Sequence, residues 1–203
     1  MKKHAIVLAL AALGVVTTQA MAQQSPWQVR VRAVYLDPAD KSDPIGGVGP
    51  ADQLTVSTKT IPEVDISYFF TPNIAAELIL TYPQKHDVAL SGTNIGTFKH
   101  LPPTLTLQYH FTPGAQFSPY VGAGVNYTNI SSVKLLNGAG QLDHHSFGLA
   151  LQAGVDYKLD KNWSLNLDVK KVQIRSDVMV GGAQVSKVKV DPLLIGVGVG
   201  YRF

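Results

Sequence analysis

Residues 193–203 read LLIGVGVGYRF, with Leu193, Ile195, Val197, Val199, Tyr201 and Phe203 at odd positions and Gly196, Gly198, Gly200 and Arg202 between them. Successive strand side chains point to opposite faces, so this stretch is a strand with one broad apolar face and one nearly bare face. Such a strand suits a wall between two environments. The apolar side meets a greasy phase, and the glycine side leaves room for something else.

The same period of two recurs along the chain. In 27–36, Trp27, Val29, Val31, Ala33 and Tyr35 oppose Gln28, Arg30 and Arg32. In 62–70, Val64, Ile66, Tyr68 and Phe70 oppose Glu63, Asp65 and Ser67. In 73–82, Ile74, Ala76, Leu78, Leu80 and Tyr82 oppose Glu77, Ile79 and Thr81. Runs at 100–111, 120–128, 146–157 and 163–172 follow suit, giving eight strands with the last. The links alternate: short at 71–73, 112–119 and 158–162, long at about 37–60, 84–98, 129–145 and 175–190. An even strand number with short turns on one rim and long loops on the other predicts an all-β, eight-stranded antiparallel transmembrane β-barrel.

A soluble sandwich or soluble barrel would also alternate, with its apolar face inward. Two features oppose that reading. The apolar faces end in aromatics at both levels, with Trp27, Phe70, Phe111, Tyr157, Trp163 and Phe203 near the short turns and Tyr35, Tyr82, Tyr127 and Phe147 near the long loops. These predict two interfacial girdles. The chain also starts MKKHAIVLALAALGVVTTQAMAQQ, a basic start and an apolar run followed by Ala20-Met21-Ala22. This predicts a cleaved signal peptide over 1–22, a mature barrel over 23–203 and export to a Gram-negative outer membrane. The apolar run is too short to anchor as a membrane helix.

Composition excludes other classes. With Lys2 and Lys3 in a segment expected to be removed, the seventeen basic residues fall to fifteen, against fourteen acidic. No basic footprint for nucleic acid remains. There is no cysteine, hence no disulfide or thiolate metal site.

The stretches KHLPPTLTLQYHF (99–111), PYVGAGVNYT (119–128), GVDY (154–157) and DPLLIGVGVGYRF (191–203), in this order, resemble the OmpW family of small outer-membrane barrels over about residues 27–203. The resemblance implies a narrow lumen serving passive uptake of small hydrophobic molecules. The AlkL branch is associated with alkanes and similar compounds. The resemblance also carries an alternative, a non-transporting surface barrel acting through its loops in adhesion, stress resistance or as a phage or toxin receptor. The polar, glycine-containing loop at 37–60 suits that alternative. Tyr201 and the terminal Phe203 resemble the signal read by the outer-membrane assembly machinery.

Eight strands enclose a lumen that side chains can fill, so no water-filled pore is expected. Inward residues sort by height. Arg30, Arg32, Glu63, Asp65, Glu77, Asp156, Asp168 and Arg202 predict an ion-paired plug in the lower lumen, since buried charges must pair. Higher up, Val34, Leu36, Ile61, Ile79, Pro102, Val172 and Leu194, with Thr81 and Ile174, predict an apolar pocket for hydrophobic or amphiphilic ligands. A ligand blocked below would leave sideways into the bilayer. Inward Lys170 sits beside that pocket and is expected to snorkel toward the loops, pair with Glu63 or favour ligands with an anionic end.

His144-His145-Ser146 offers a His-x-Ser spacing that puts a base near a hydroxyl. No third group orients the base, and no enzyme is expected. His86, His100, His144 and His145 show no metal-site spacing, and neither metal nor cofactor is expected. The expected partners are outer-membrane lipid, the ligand and the assembly machinery. A closed barrel needs no second chain to cover its edges, so a monomer is expected.

Overall fold

The structure, a computed structural model, describes residues 25–203. The expected signal peptide lies outside the described residues. Eight long strands form the wall, and we number them in chain order: β1 Trp27–Asp37, β2 Lys59–Phe69, β3 Ile74–Leu80, β4 Thr104–His110, β5 Phe117–Leu135, β6 His145–Lys158, β7 Trp163–Val172 and β8 Leu193–Arg202. Each pairs antiparallel with its sequence neighbours. Pairing of β8 with β1, Val199 opposite Val31, closes the barrel. Closure leaves no free edge, which a wall in lipid requires.

The outward face is apolar at every strand. Val31, Leu78, Leu105, Leu107, Leu149, Leu151, Leu165, Leu167 and Val197 are exposed, and all ten girdle aromatics stand at the two ends of this band. Buried apolar area cannot account for so greasy an exterior in water. Lipid can. At the short-turn end, Trp163 and Tyr201 meet edge to face with centroids 4.9 Å apart, as do Trp27 and Tyr68. Side chains order the short turns: Asp160 Oδ1 accepts from the Asn162 and Trp163 amides, and Thr71 Oγ1 from the Ile74 amide.

The long links hold more structure than their loop reading suggested. Gln84–Leu90 and Thr93–Leu101 form a hairpin turned by Ser91 and Gly92, both at positive φ, and Arg175–Val180 and Ala183–Lys189 form another turned by Gly181 and Gly182. Such turns match the twist of the paired strands. Strand β5 runs on for seven residues past Thr128 and pairs with the first hairpin. Short strands Leu54–Val56 and Gly140–Leu142 join them. The expected single run at 100–111 is split, because Pro102 and Pro103 fall outside both flanking strands. Proline has no amide hydrogen to give a ladder. The result is a β-walled extension beyond the long-loop girdle, packed inside by Leu54, Val56, Val88, Phe98, Leu135 and Val178.

Candidate functional site: a charged floor under an apolar lumen

Adjacent strands put Arg30 opposite Asp65 and Arg32 opposite Glu63. The long guanidinium of Arg30 nevertheless reaches across the lumen. Its Nη1 lies 2.5 Å from Glu77 and 2.9 Å from Ser67 Oγ, and its Nη2 lies 2.7 Å from Asp156. Arg32 Nη1 lies 2.7 Å from Asp65 and 3.2 Å from Glu63, and its Nε donates to Asn166 at 2.7 Å. Lys170 Nζ lies 2.5 Å from Glu63 and 2.9 Å from Asp168. Lys170 therefore belongs to this network and does not reach toward the loops. All these charges are buried. A buried charge is costly unless it is paired, and neutral groups add further hydrogen bonds to this network. Gln152 Nε2 donates to Glu77 and Asp168, Tyr120 Oη to Asp168, and Asn166 Nδ2 to Asp156.

Seven of the eight charges expected in the floor meet here. Arg202 does not. Its guanidinium stacks 3.9 Å over the Phe69 ring, and its Nε donates to the Ser25 carbonyl at the short-turn rim. Parity pointed it inward, but the last residue of a strand at the rim finds its partners there. Tyr120, Gln152 and Asn166 were legible only as inward positions. Their partners depend on the stagger of strands across the lumen.

Glycines make the room. A Cβ on Gly154 would collide with the Tyr120 ring, and one on Gly196 would lie 3.3 Å from Arg32 Cδ. The bare faces of β6 and β8 are thus filled by the long side chains of the floor.

Above the floor the lining turns apolar. Leu36, Ile61, Ile79, Pro102, Val172 and Leu194 surround a cavity of about 20 Å³ together with Thr81, Ile174 and Pro192. Val34 is buried lower, against Gly196, and is not on this wall. Glu63 and Lys170 form the bottom of the cavity, and His100 its upper wall. A second cavity of about 20 Å³ lies in the extension, walled by Leu54, Val56, Val88, Phe98 and Leu135. Between the two, His86 stacks on His100 at 4.7 Å between centroids, with Phe98 beside both rings. The sequence places His86 in the long link at 84–98 and His100 at the start of the run at 100–111, so their stacking across a hairpin was not read from it. The available signal was parity, since His86, Phe98 and His100 all share the inward face. His100 lies three rungs beyond the Tyr127 girdle, opposite Ile130. Burial first, then His86 and Lys59, pushes its imidazole down to about 3, so the ring is neutral.

The wall beside the lower cavity is weakly laddered. Pairing of β2 with β3 stops at Val64–Leu80, and pairing of β3 with β4 stops at Ile79–Thr104. Beyond those points come Pro62, Pro83, Pro102 and Pro103. A side chain bridges part of the gap: Thr81 Oγ1 donates to the Pro62 carbonyl.

The histidines weighed for chemistry are engaged elsewhere. His145 Nδ1 bonds Tyr127 Oη, the His144 ring faces the Ile130 carbonyl, and Ser146 Oγ accepts from the Arg175 amide. Among the described residues, no group of three or more His, Cys, Asp or Glu is placed to hold a metal.

Comparison with known proteins agrees with this geometry. The OmpW family model matches residues 23–203. An uncharacterized outer-membrane protein, y4mB of Sinorhizobium fredii, is 48% identical over 88% of this chain and 80% of its own. A Pseudomonas aeruginosa protein, PahQ, named for a dibenzothiophene metabolism operon, is 28% identical over 90% of both chains. The crystal structure of the outer membrane protein OprG from Pseudomonas aeruginosa superposes with a TM-score of 0.78, at 28% identity, over 89% of this chain and 97% of that one. The chain belongs to the OmpW family, and it is an eight-stranded β-barrel of the outer membrane.

Proposed function

We propose that this barrel passively takes up small hydrophobic molecules through its apolar upper lumen. The buried charge network acts as a plug that closes the lower lumen, and the ligand leaves sideways into the membrane. The carrying observation is the stacking order along the axis: an apolar cavity sits directly on a fully paired ionic floor. A ligand that reaches this cavity gains about 25 cal/mol for each Å² of apolar surface it buries. It gains nothing by going down, where it would have to break buried ion pairs.

The sideways route is supported by the prolines at cavity height. Pro62, Pro83, Pro102 and Pro103 leave the β2, β3 and β4 edges short of ladder bonds beside Ile61, Ile79 and Thr104. Those edges can separate at lower cost than the continuous ladder of β5 with β6, which spans thirteen registered pairs. A cavity of about 20 Å³ holds roughly one water-sized group. Uptake therefore includes movement of the surrounding side chains. The name of the PahQ relative points the same way, dibenzothiophene being an apolar aromatic.

The test is uptake of an apolar fluorescent probe into proteoliposomes. Ile79→Arg places a charge in the cavity, and we expect the uptake rate to fall about tenfold or more. An unchanged rate would favour a barrel working through its loops.

The C-terminal Tyr201 and Phe203 project to the outer surface at the short-turn girdle, their rings 5.1 Å apart. We read them as the assembly signal. Deleting Phe203 is expected to reduce the inserted fraction in cells while leaving refolding into detergent largely intact. Normal insertion in cells would overturn that role.

A further inference from the structure

Three inward side chains of the extension carry polar atoms that find no partner. His100 sits opposite Gln84 across the hairpin, and His86 stacks on His100. All three are fully buried. Gln84 Oε1, His86 Nε2 and both ring nitrogens of His100 lack any hydrogen bond. Their other atoms are occupied: Gln84 Nε2 donates to Thr81 Oγ1 and the Tyr82 carbonyl, and His86 Nδ1 bonds the Ser57 carbonyl. The bond to Ser57 makes Nδ1 the protonated nitrogen of His86 and leaves Nε2 as an acceptor.

Orphaned buried polar atoms are uncommon, and each one costs stability. Four in one hairpin form a pattern. Every other polar group on the lower cavity wall is already served: Thr81 by Pro62, Thr104 by Pro102, and Glu63 by Lys170 and Arg32. His100 is the residue of that wall whose side chain is unserved. A neutral His100 offers one donor and one acceptor, while Gln84 and His86 add acceptors only. The complement of this set is a group that both donates and accepts but carries no charge. A hydroxyl does both. A hydrocarbon does neither, and an ether or ketone only accepts.

We propose that Gln84, His86 and His100 form a hydroxyl-recognition site at the top of the apolar cavity, and that the preferred ligands are apolar alcohols or phenols. The inference rests on the uptake reading above and specifies its substrate class. A ligand would lay its apolar body against Ile61, Ile79, Val172 and Leu194 and set its hydroxyl among the three side chains. The fixed Lys170–Glu63 pair below offers no free charge for an anionic end.

The test compares 1-octanol with methyl octyl ether, which has the same apolar chain but cannot donate. Binding to the full barrel in lipid nanodiscs is measured by ligand-observed NMR. The wild type is expected to bind the alcohol about tenfold more tightly, and His100→Leu to bring the two within about twofold while ether binding persists. Gln84→Leu provides a second, independent variant with the same expected direction. His100→Leu removes only orphaned polar atoms and is not expected to impair folding, whereas Gln84→Leu also gives up the bonds to Thr81 Oγ1 and the Tyr82 carbonyl, so its folded fraction is checked alongside. Equal wild-type affinities, the result for a site that merely holds a water, would overturn the inference and leave hydrophobic uptake standing. So would an alcohol preference that survives in both variants. Failure of both ligands to bind would overturn the uptake reading as well.

Discussion

Arg30→Met is expected to destabilise the barrel by about 3–5 kcal/mol, because it removes one partner of a buried ionic network and strands the others. Glu77 and Asp156 would each lose a contact of 2.7 Å or less, and Ser67 would lose its donor. Three cations, Arg30, Arg32 and Lys170, serve five carboxylates in the floor. The network is already poor in positive charge, so losing an arginine is costlier than losing an acid. Asp65→Asn is the matched control. Both Asp65 oxygens lack hydrogen bonds, and its contact is the ion pair with Arg32. Its neutralisation is expected to change stability by less than about 1 kcal/mol, or to raise it. Equilibrium urea unfolding in lipid vesicles reads both. Equal costs for the two variants would contradict this description of the floor.

Gly198→Ala is expected to prevent normal barrel closure. An added Cβ would overlap the Val31 carbonyl oxygen and lie 2.8 Å from Arg32 Cα, both backbone atoms of the neighbouring strand. Backbone cannot swing aside as a side chain can, so β8 would have to separate from β1 at the seam that closes the barrel. Overpacking of this kind typically costs about 1–3 kcal/mol and more when the backbone must shift. Gly114→Ala, with nothing within 4 Å of the added carbon, should be neutral. The folded fraction after refolding, read by heat-dependent gel mobility, separates the two. A Gly198→Ala barrel that refolds as well as Gly114→Ala would show that the seam is looser than described.

The barrel was legible because lipid outside and packed charge inside impose opposite chemistry on alternate residues. That signal fades beyond the girdles. Thr93–Leu101 carries half-buried Thr97 and exposed Lys99 on one face and buried Phe98 and His100 on the other, a pattern any polar loop can imitate. Its partner Gln84–Leu90 has the same weakness, so both read as loop. The charged floor was legible as a set, since Arg30, Glu77 and Asp156 all fall on the inward parity. Which acid meets which base was not. The register sets Arg30 opposite Asp65, whereas its guanidinium crosses to Glu77 on β3 and Asp156 on β6, a choice set by strand stagger. Arg202 shares the inward parity but lies at the rim, where Phe69 and the Ser25 carbonyl are nearer than any floor carboxylate. The terminal glycines first suggested spare room. The inner-face glycines of β6 and β8 show two uses: Gly154 and Gly196 admit Tyr120 and Arg32, while Gly198 lets two backbones approach.

The proposed apolar path ends on a closed floor and turns outward into the membrane. Its most direct test records two quantities on one preparation of proteoliposomes: uptake of an apolar probe, and ionic conductance. Rapid uptake with no ionic conductance through the barrel is expected, and loss of uptake in Ile79→Arg with the conductance still absent. Uptake no faster than in protein-free vesicles, or a steady ionic conductance in the wild type, would contradict it.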